Sequence, residues 1–260
     1  MRKVFIVHGM KRSGNHAIIN WLRAHGHFIF FNNIIPVAPI LEGEASMPPP
    51  QDFEKWLRRQ LTFGRIPFTG RLARFVRRNH ALMVSLEDHQ LSVRPFLDLP
   101  RDVTNVLILR DPVNLFASRI RKAFLLDHPA YPRENGAAMG RVIELWKSHA
   151  REFLGLTNQL GNRVSVSFNA WFSSEDYRTS LGEALGLAAS GEAFAGVADT
   201  GGGSSFDGTL MDGQSQSMDV LDRRSRLSER ERAVLENVLL DGELGDLARR
   251  TAGCCHGCRH

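Results

Sequence analysis

Short unbroken apolar runs alternate along this chain with longer stretches in which apolar residues recur every three or four positions. Lys3 to Val7 is a continuous run of the first kind, which predicts a strand buried on both faces. Ala81 to Leu86, Asn105 to Leu109 and Val164 to Phe168 are further strand candidates, and Phe28 to Phe31 is a shorter one. Between them, Ala17 to Ala24 carries Ile18, Trp21 and Leu22 at helical spacing, and Ala138 to Leu156 carries Ile143, Trp146 and Ala150 on one stripe. Pro112 to Phe124 reads as a helix with proline in its opening turn. Glu175 to Leu187 reads as another. Ser228 to Arg250 reads as a closing helix, with Ser228 and Glu231 at capping-box spacing.

Between Asn32 and Pro50 the composition is that of a loop, ending in three prolines, and two basic amphipathic helices are expected at Asp52 to Gln60 and Gly70 to Asn79. Ala188 to Gln216, rich in Gly, Ser and Asp, is expected to be mostly loop. Strands separated by helices predict a single α/β domain with a parallel sheet flanked by helices, spanning residues 1–250 with 32–79 as an insertion and 251–260 as a tail. Ligands of such sheets bind beyond the carboxyl ends of the strands. The loops after Val7, Leu86, Leu109 and Phe168 are therefore the ones to inspect.

The loop after the first strand is His8-Gly9-Met10-Lys11-Arg12-Ser13-Gly14-Asn15-His16. Its glycines are spaced as in a phosphate-binding loop, and it joins a strand to a helix as that motif requires. Backbone N–H groups and a helix N-terminus in that setting form an anion site. Asn15-His16 stands where a nucleoside triphosphatase has Lys-Ser/Thr, so the magnesium-binding hydroxyl is missing and the positive charge sits at Lys11 and Arg12. The rival reading is a tight turn with surface charges. After Leu109 the chain runs Arg110-Asp111-Pro112, with Ser118 eight residues beyond Arg110. Two helical turns bring that hydroxyl near the loop, where Arg and Ser can grip one phosphate. Its rival is a strand-end Arg paired with Asp111.

Arg12-Ser13-Gly14-Asn15-His16 is similar to the 5′-phosphosulfate loop of sulfotransferases, commonly Lys/Arg-Ser-Gly-Thr-Thr. The segment from Arg110 to Ser118 resembles the 3′-phosphate segment of the same family. The resemblance implies a P-loop-type sulfotransferase fold, 3′-phosphoadenosine 5′-phosphosulfate (PAPS) as donor, PAP as product, and no metal. It places Gly9, Lys11, Arg12, Ser13, Gly14, Asn15, His16, Arg110 and Ser118 at the cofactor, with Arg12 or Lys11 as the essential cation. It also implies a base after the strand between the two segments, where Glu87-Asp88-His89 stands. Glu87 is nearest the strand end and is preferred, then His89, then Asp88. A late glycine-containing loop closes over the nucleotide in the family, and Gly201 to Asp207 lies in that region without the cations.

Charge and cysteine add little. A net charge of +5 suits a polyanionic ligand, and the basic clusters Arg71, Arg74, Arg77, Arg78 and Arg223, Arg224, Arg226 read as solvated helix faces rather than a nucleic-acid surface. Cys254, Cys255 and Cys258 with two histidines fit no closed zinc site and read as a tail. No apolar run has the length of a membrane span or signal peptide, so a cytoplasmic location is expected. Trp171 reads as core, or as packing beside adenine. The acceptor is expected to be a carbohydrate or small natural product whose pocket includes much of 32–79. A small-molecule kinase, or a nucleotide-binding protein without catalysis, remains the alternative.

Overall fold

The computed structural model describes residues 4–26, 28–33, 81–93, 103–126, 131–133, 136–187 and 203–253. The helices expected within 52–79, most of the 32–79 insertion and the cysteine tail lie outside them.

Five parallel strands form one sheet in the order β2-β3-β1-β4-β5. They are β1 (Val4–Gly9), β2 (Phe28–Phe31), β3 (Ala81–Glu87), β4 (Val103–Leu109) and β5 (Arg163–Ser167). Every residue of β1 is buried, as its unbroken apolar pattern requires of a central strand. Register sets Gly9 beside Glu87 on β3 and His8 beside Leu107 on β4, so the carboxyl ends of the three strands finish together. Leu109 is level with Ser167 on β5.

Helices cover both faces. On one side Ile18, Ile19, Trp21 and Leu22 of α1 (Asn15–Ala24) meet Phe5 and Val7 of the sheet. The same core takes Trp171 of α4 (Phe168–Ser173) and Leu181 of α5 (Glu175–Ala184). On the other side α2 (Pro112–Leu125), α3 (Ala137–Phe153), α6 (Glu229–Leu239) and α7 (Gly242–Gly253) enclose Leu115, Phe116, Trp146, Leu235 and Leu247. The chain leaves β1 toward β3 and β2, and leaves β4 toward β5. The sheet therefore reverses winding between β1 and β4, and a crevice opens there at the carboxyl ends.

Two elements differ from expectation. The closing helix is two: Leu240 caps α6, and the Asp241 carboxylate accepts from the Leu244 N–H to start α7. Leu235, Val238, Leu244 and Leu247 all enter one core, so apolar periodicity crosses the break without marking it. Phe168 belongs to a helix rather than a strand, because the Ser167 hydroxyl accepts from the Ala170 N–H and ends β5. Ser228 and Glu231 form the capping box that opens α6.

Candidate functional site

The loop from β1 to α1 is held from below. The Lys11 N–H donates to Asp88 Oδ1 at 2.9 Å, and the Asp88 N–H donates to the Gly9 carbonyl. Arg119 on α2 grips both Asp88 oxygens at 2.8 and 3.1 Å and also donates to the Lys11 carbonyl at 3.1 Å. Arg119 and Asp88 are both fully enclosed, so this is a buried bidentate ion pair under the loop. Arg12 and Gly14 both take positive φ, 74° and 82°. At Gly14 a Cβ would stand 2.0 Å from the Phe168 ring, so conformation and space both demand glycine. Gly14 heads α1 with no side-chain cap; the Ala17 N–H donates to the Gly14 carbonyl at 3.1 Å, and the Asn15 and His16 N–H groups are left open to an anion among the described residues.

Arg110 leaves β4 into the same crevice. Its Nη1 donates to the Arg12 carbonyl at 2.8 Å and to Ser118 Oγ at 3.4 Å, and its Nη2 donates to the Val220 carbonyl. Trp146 fixes the backbone by donating to the Arg110 carbonyl at 3.0 Å. The guanidinium lies 4.9 Å over the Phe168 ring. No carboxylate among the described residues pairs with Arg110. The adjacent Asp111 accepts instead from the Asn114 N–H, as the cap of α2, and from Asn169. Burial pushes the Arg110 guanidinium down to about 9; Asp111 opposes this, while Arg223 and Arg12 add to it. Burial also lowers Arg12. The Nε of Arg12 and the Nε of Arg110 are buried and have no hydrogen-bond partner among the described residues, as is also true of the Nε of Arg121 and Arg163. Two desolvated cations with unused donors make an environment that favours an anion.

Glu87, at the end of β3, forms the opposite wall. Its Oε1 accepts from Asn15 Nδ2 at 2.9 Å and lies 3.5 Å from His16 Nε2. Its Oε2 has no partner among the described residues. Arg12, Gly14, Asn15, His16, Glu87, Arg110 and Ser118 line one half-open cleft of about 140 Å³. That is smaller than most small-molecule sites, roughly 300–1,000 Å³. A scan of the sequence against protein families and a search of curated proteins both return no match.

Other expected site residues stand outside the cleft wall. Lys11 contributes its backbone to Asp88 and Arg119, so Arg12 is the loop cation that faces the cleft. Gly9 makes room for Asn15, whose Oδ1 would lie 2.2 Å from a Cβ there, and Ser13 is buried in the turn. Asp88 is committed to Arg119. His89 is buried behind the loop, its carbonyl 3.0 Å from His149 Nε2. Trp171 sits in the core, its ring 6.2 Å from Trp21.

Gly203, Ser204 and Ser205 of the late glycine loop line the cleft, which also has walls that sequence reading did not assign: Phe168, Phe172, Met218, Val220 and Arg223. Arg223 belongs to a run expected as a solvated face, yet it is only 3% exposed. It pairs with Asp207 at 3.0 Å, and so brings a cation to the late glycine loop, which has none of its own. Among the described residues no cluster of His, Cys, Asp and Glu is arranged for a metal, and no helix is long and apolar enough to cross a membrane.

Proposed function

We propose that this chain is a sulfotransferase of P-loop-type fold that moves a sulfuryl group from PAPS to a hydroxyl or amine of a small acceptor, releasing PAP. The observation that carries the reading is the pairing of a buried arginine, Arg110, with a half-buried one, Arg12. Each comes from a different strand end, each has an unused Nε, and both face one cleft. Such a pair fits a ligand with two separate anionic groups. A ligand with a 5′-phosphosulfate and a 3′-phosphate has that form.

In this reading the uncapped first turn of α1 and Arg12 hold the 5′ group, while Arg110 and Ser118 hold the 3′-phosphate. Phe168, Phe172 and Met218 supply the apolar wall for the adenine. PAPS supplies the activated sulfuryl group: the acceptor oxygen or nitrogen bonds to sulfur as the bridging S–O bond breaks, and its electron pair leaves on the phosphate of PAP. Glu87 takes the acceptor proton on Oε2, since Oε1 is held by Asn15 and His16. Arg12 stabilises charge growing on the leaving phosphate. The acceptor would be a carbohydrate or small natural product.

Incubation with sulfur-labelled PAPS and a panel of hydroxyl and amine acceptors tests this. Labelled product should form with at least one acceptor and fall by about 10²–10⁴-fold in Glu87→Gln, which keeps an oxygen for Asn15. PAP binding should survive that change. Metal-dependent ATP turnover with no use of PAPS would replace this reading with a kinase.

A further inference from the structure

β2 pairs with β3 only as far as Phe31, which stands opposite Val84, so Ser85 to Glu87 have no β2 residue beside them. Side chains take over from there. The Asn33 N–H donates to Ser85 Oγ at 2.8 Å, and Ser85 Oγ donates to Asn32 Oδ1 at 2.9 Å. The Glu87 N–H donates to Asn33 Oδ1 at 3.0 Å. On the opposite edge β1 runs on to Gly9, level with Glu87. The end of β3 is thus held on one edge by a strand and on the other by two asparagines and a buried serine.

Asn33 takes a φ of 41° to make this clasp. That left-handed conformation is costly for an L-residue and least so for asparagine or aspartate. Among the described residues, four non-glycine residues have positive φ: Arg12, Asn33, Asp88 and Asn162. Three of them surround Glu87. Asp88 follows it in the chain, Asn33 accepts its N–H, and Arg12 lines the same cleft. Backbone strain of this kind gathers where the surrounding structure holds a functional side chain in one place. Asn15 grips the Glu87 carboxylate through Oε1 at 2.9 Å, and Asn33 grips the backbone that carries it.

We infer that Asn33 is a positioning residue for sulfuryl transfer, acting through Glu87: its carboxamide oxygen fixes the end of β3 and so the direction in which Glu87 Oε2 meets the acceptor proton. This rests on Glu87 as the base in the reading above. Asn33 itself touches neither donor nor acceptor. A general base works only within hydrogen-bond reach of the proton it takes, and a displacement of about 1 Å can cost on the order of 10²-fold in rate.

Initial rates with labelled PAPS and an acceptor that wild type uses, beside calorimetric titration with PAP, test the inference. Asn33→Gly permits the same backbone and removes the carboxamide. Its kcat should fall about tenfold or more while PAP affinity is unchanged. Asn33→Asp keeps an oxygen for the Glu87 N–H and should recover most of the loss. In a Glu87→Gln background Asn33→Gly should add almost nothing, because both changes act on one group. Should Asn33→Gly fail to fold, Ser85→Ala carries the same test by releasing the Asn33 N–H. Unchanged kcat without the clasp, or the same fractional loss with and without the Glu87 carboxylate, overturns the inference and leaves the sulfotransferase reading intact. Absence of any transfer by wild type overturns both.

Discussion

Arg110 and Ser118, eight residues apart, meet at 3.4 Å across the first two turns of α2, and Arg110 also reaches back to the Arg12 carbonyl. One guanidinium thus ties the end of β4 to the loop after β1. It does so without a carboxylate partner among the described residues, an expensive way to build a fold and a sound way to build an anion site.

Replacing Arg110 should separate these two roles. Arg110→Met removes a desolvated cation and fills much of its space, so the melting temperature should hold or rise. PAP affinity should fall by at least about thirtyfold, because the ligand's phosphate loses its buried partner. Differential scanning calorimetry with and without PAP reads both effects. A large loss of stability without ligand would make Arg110 a structural residue first.

Asp88 should behave in the opposite way. Asp88→Asn keeps a residue type that tolerates the φ of 60° found there, but leaves the Arg119 guanidinium buried without its counter-charge. The expected cost is about 3 kcal/mol. That corresponds to a drop in melting temperature on the order of 10 °C. Glu87→Gln, in the adjacent position, should melt close to wild type. Thermal unfolding of the two variants together checks the division of labour between neighbouring carboxylates.

Gly14→Ala should damage both fold and site. The positive φ alone costs roughly 1–2 kcal/mol for an L-residue. The added methyl also meets the Phe168 ring, which lies under Arg110. Lower melting temperature with weaker PAP binding is expected, and an alanine variant that binds PAP as wild type does would contradict the described loop.

Asp207 sets an acid limit on the late loop. Burial would raise its carboxyl, but hydrogen bonds from Arg226 and Arg223 outweigh this and hold it at about 2. The folded value lies below the ordinary one of about 3.9. The stabilisation is therefore complete above about pH 4 and is lost as pH falls toward 2. The melting-temperature gap between wild type and Asp207→Asn should be constant near neutrality and close across that window. A gap independent of pH would remove the ion pairs from the account.

Much of the architecture was legible because it depends on local pattern. The unbroken apolar runs at Val4 and Asn105 became central strands, Pro112 opened a helix, and Ser228 with Glu231 made its box. The break at Asp241 escaped because the apolar stripe on either side continues into one core. In the cleft, Arg12, Gly14, Arg110 and Ser118 were readable from spacing along one loop or one helix. Arg223 was not, since its place depends on Asp207 and on a chain crossing more than ninety residues after Arg110. The commitment of Asp88 to Arg119 is likewise a contact between distant loops, with no local signature.

The most direct test of the central claim is calorimetric titration of the full chain with PAP and with adenosine 5′-phosphate, repeated on Arg110→Met. Binding of PAP much tighter than of the 5′-phosphate, with that preference lost in Arg110→Met, is the predicted result. Equal affinity for the two ligands, or a preference that survives in Arg110→Met, would contradict a 3′-phosphate site at Arg110 and Ser118.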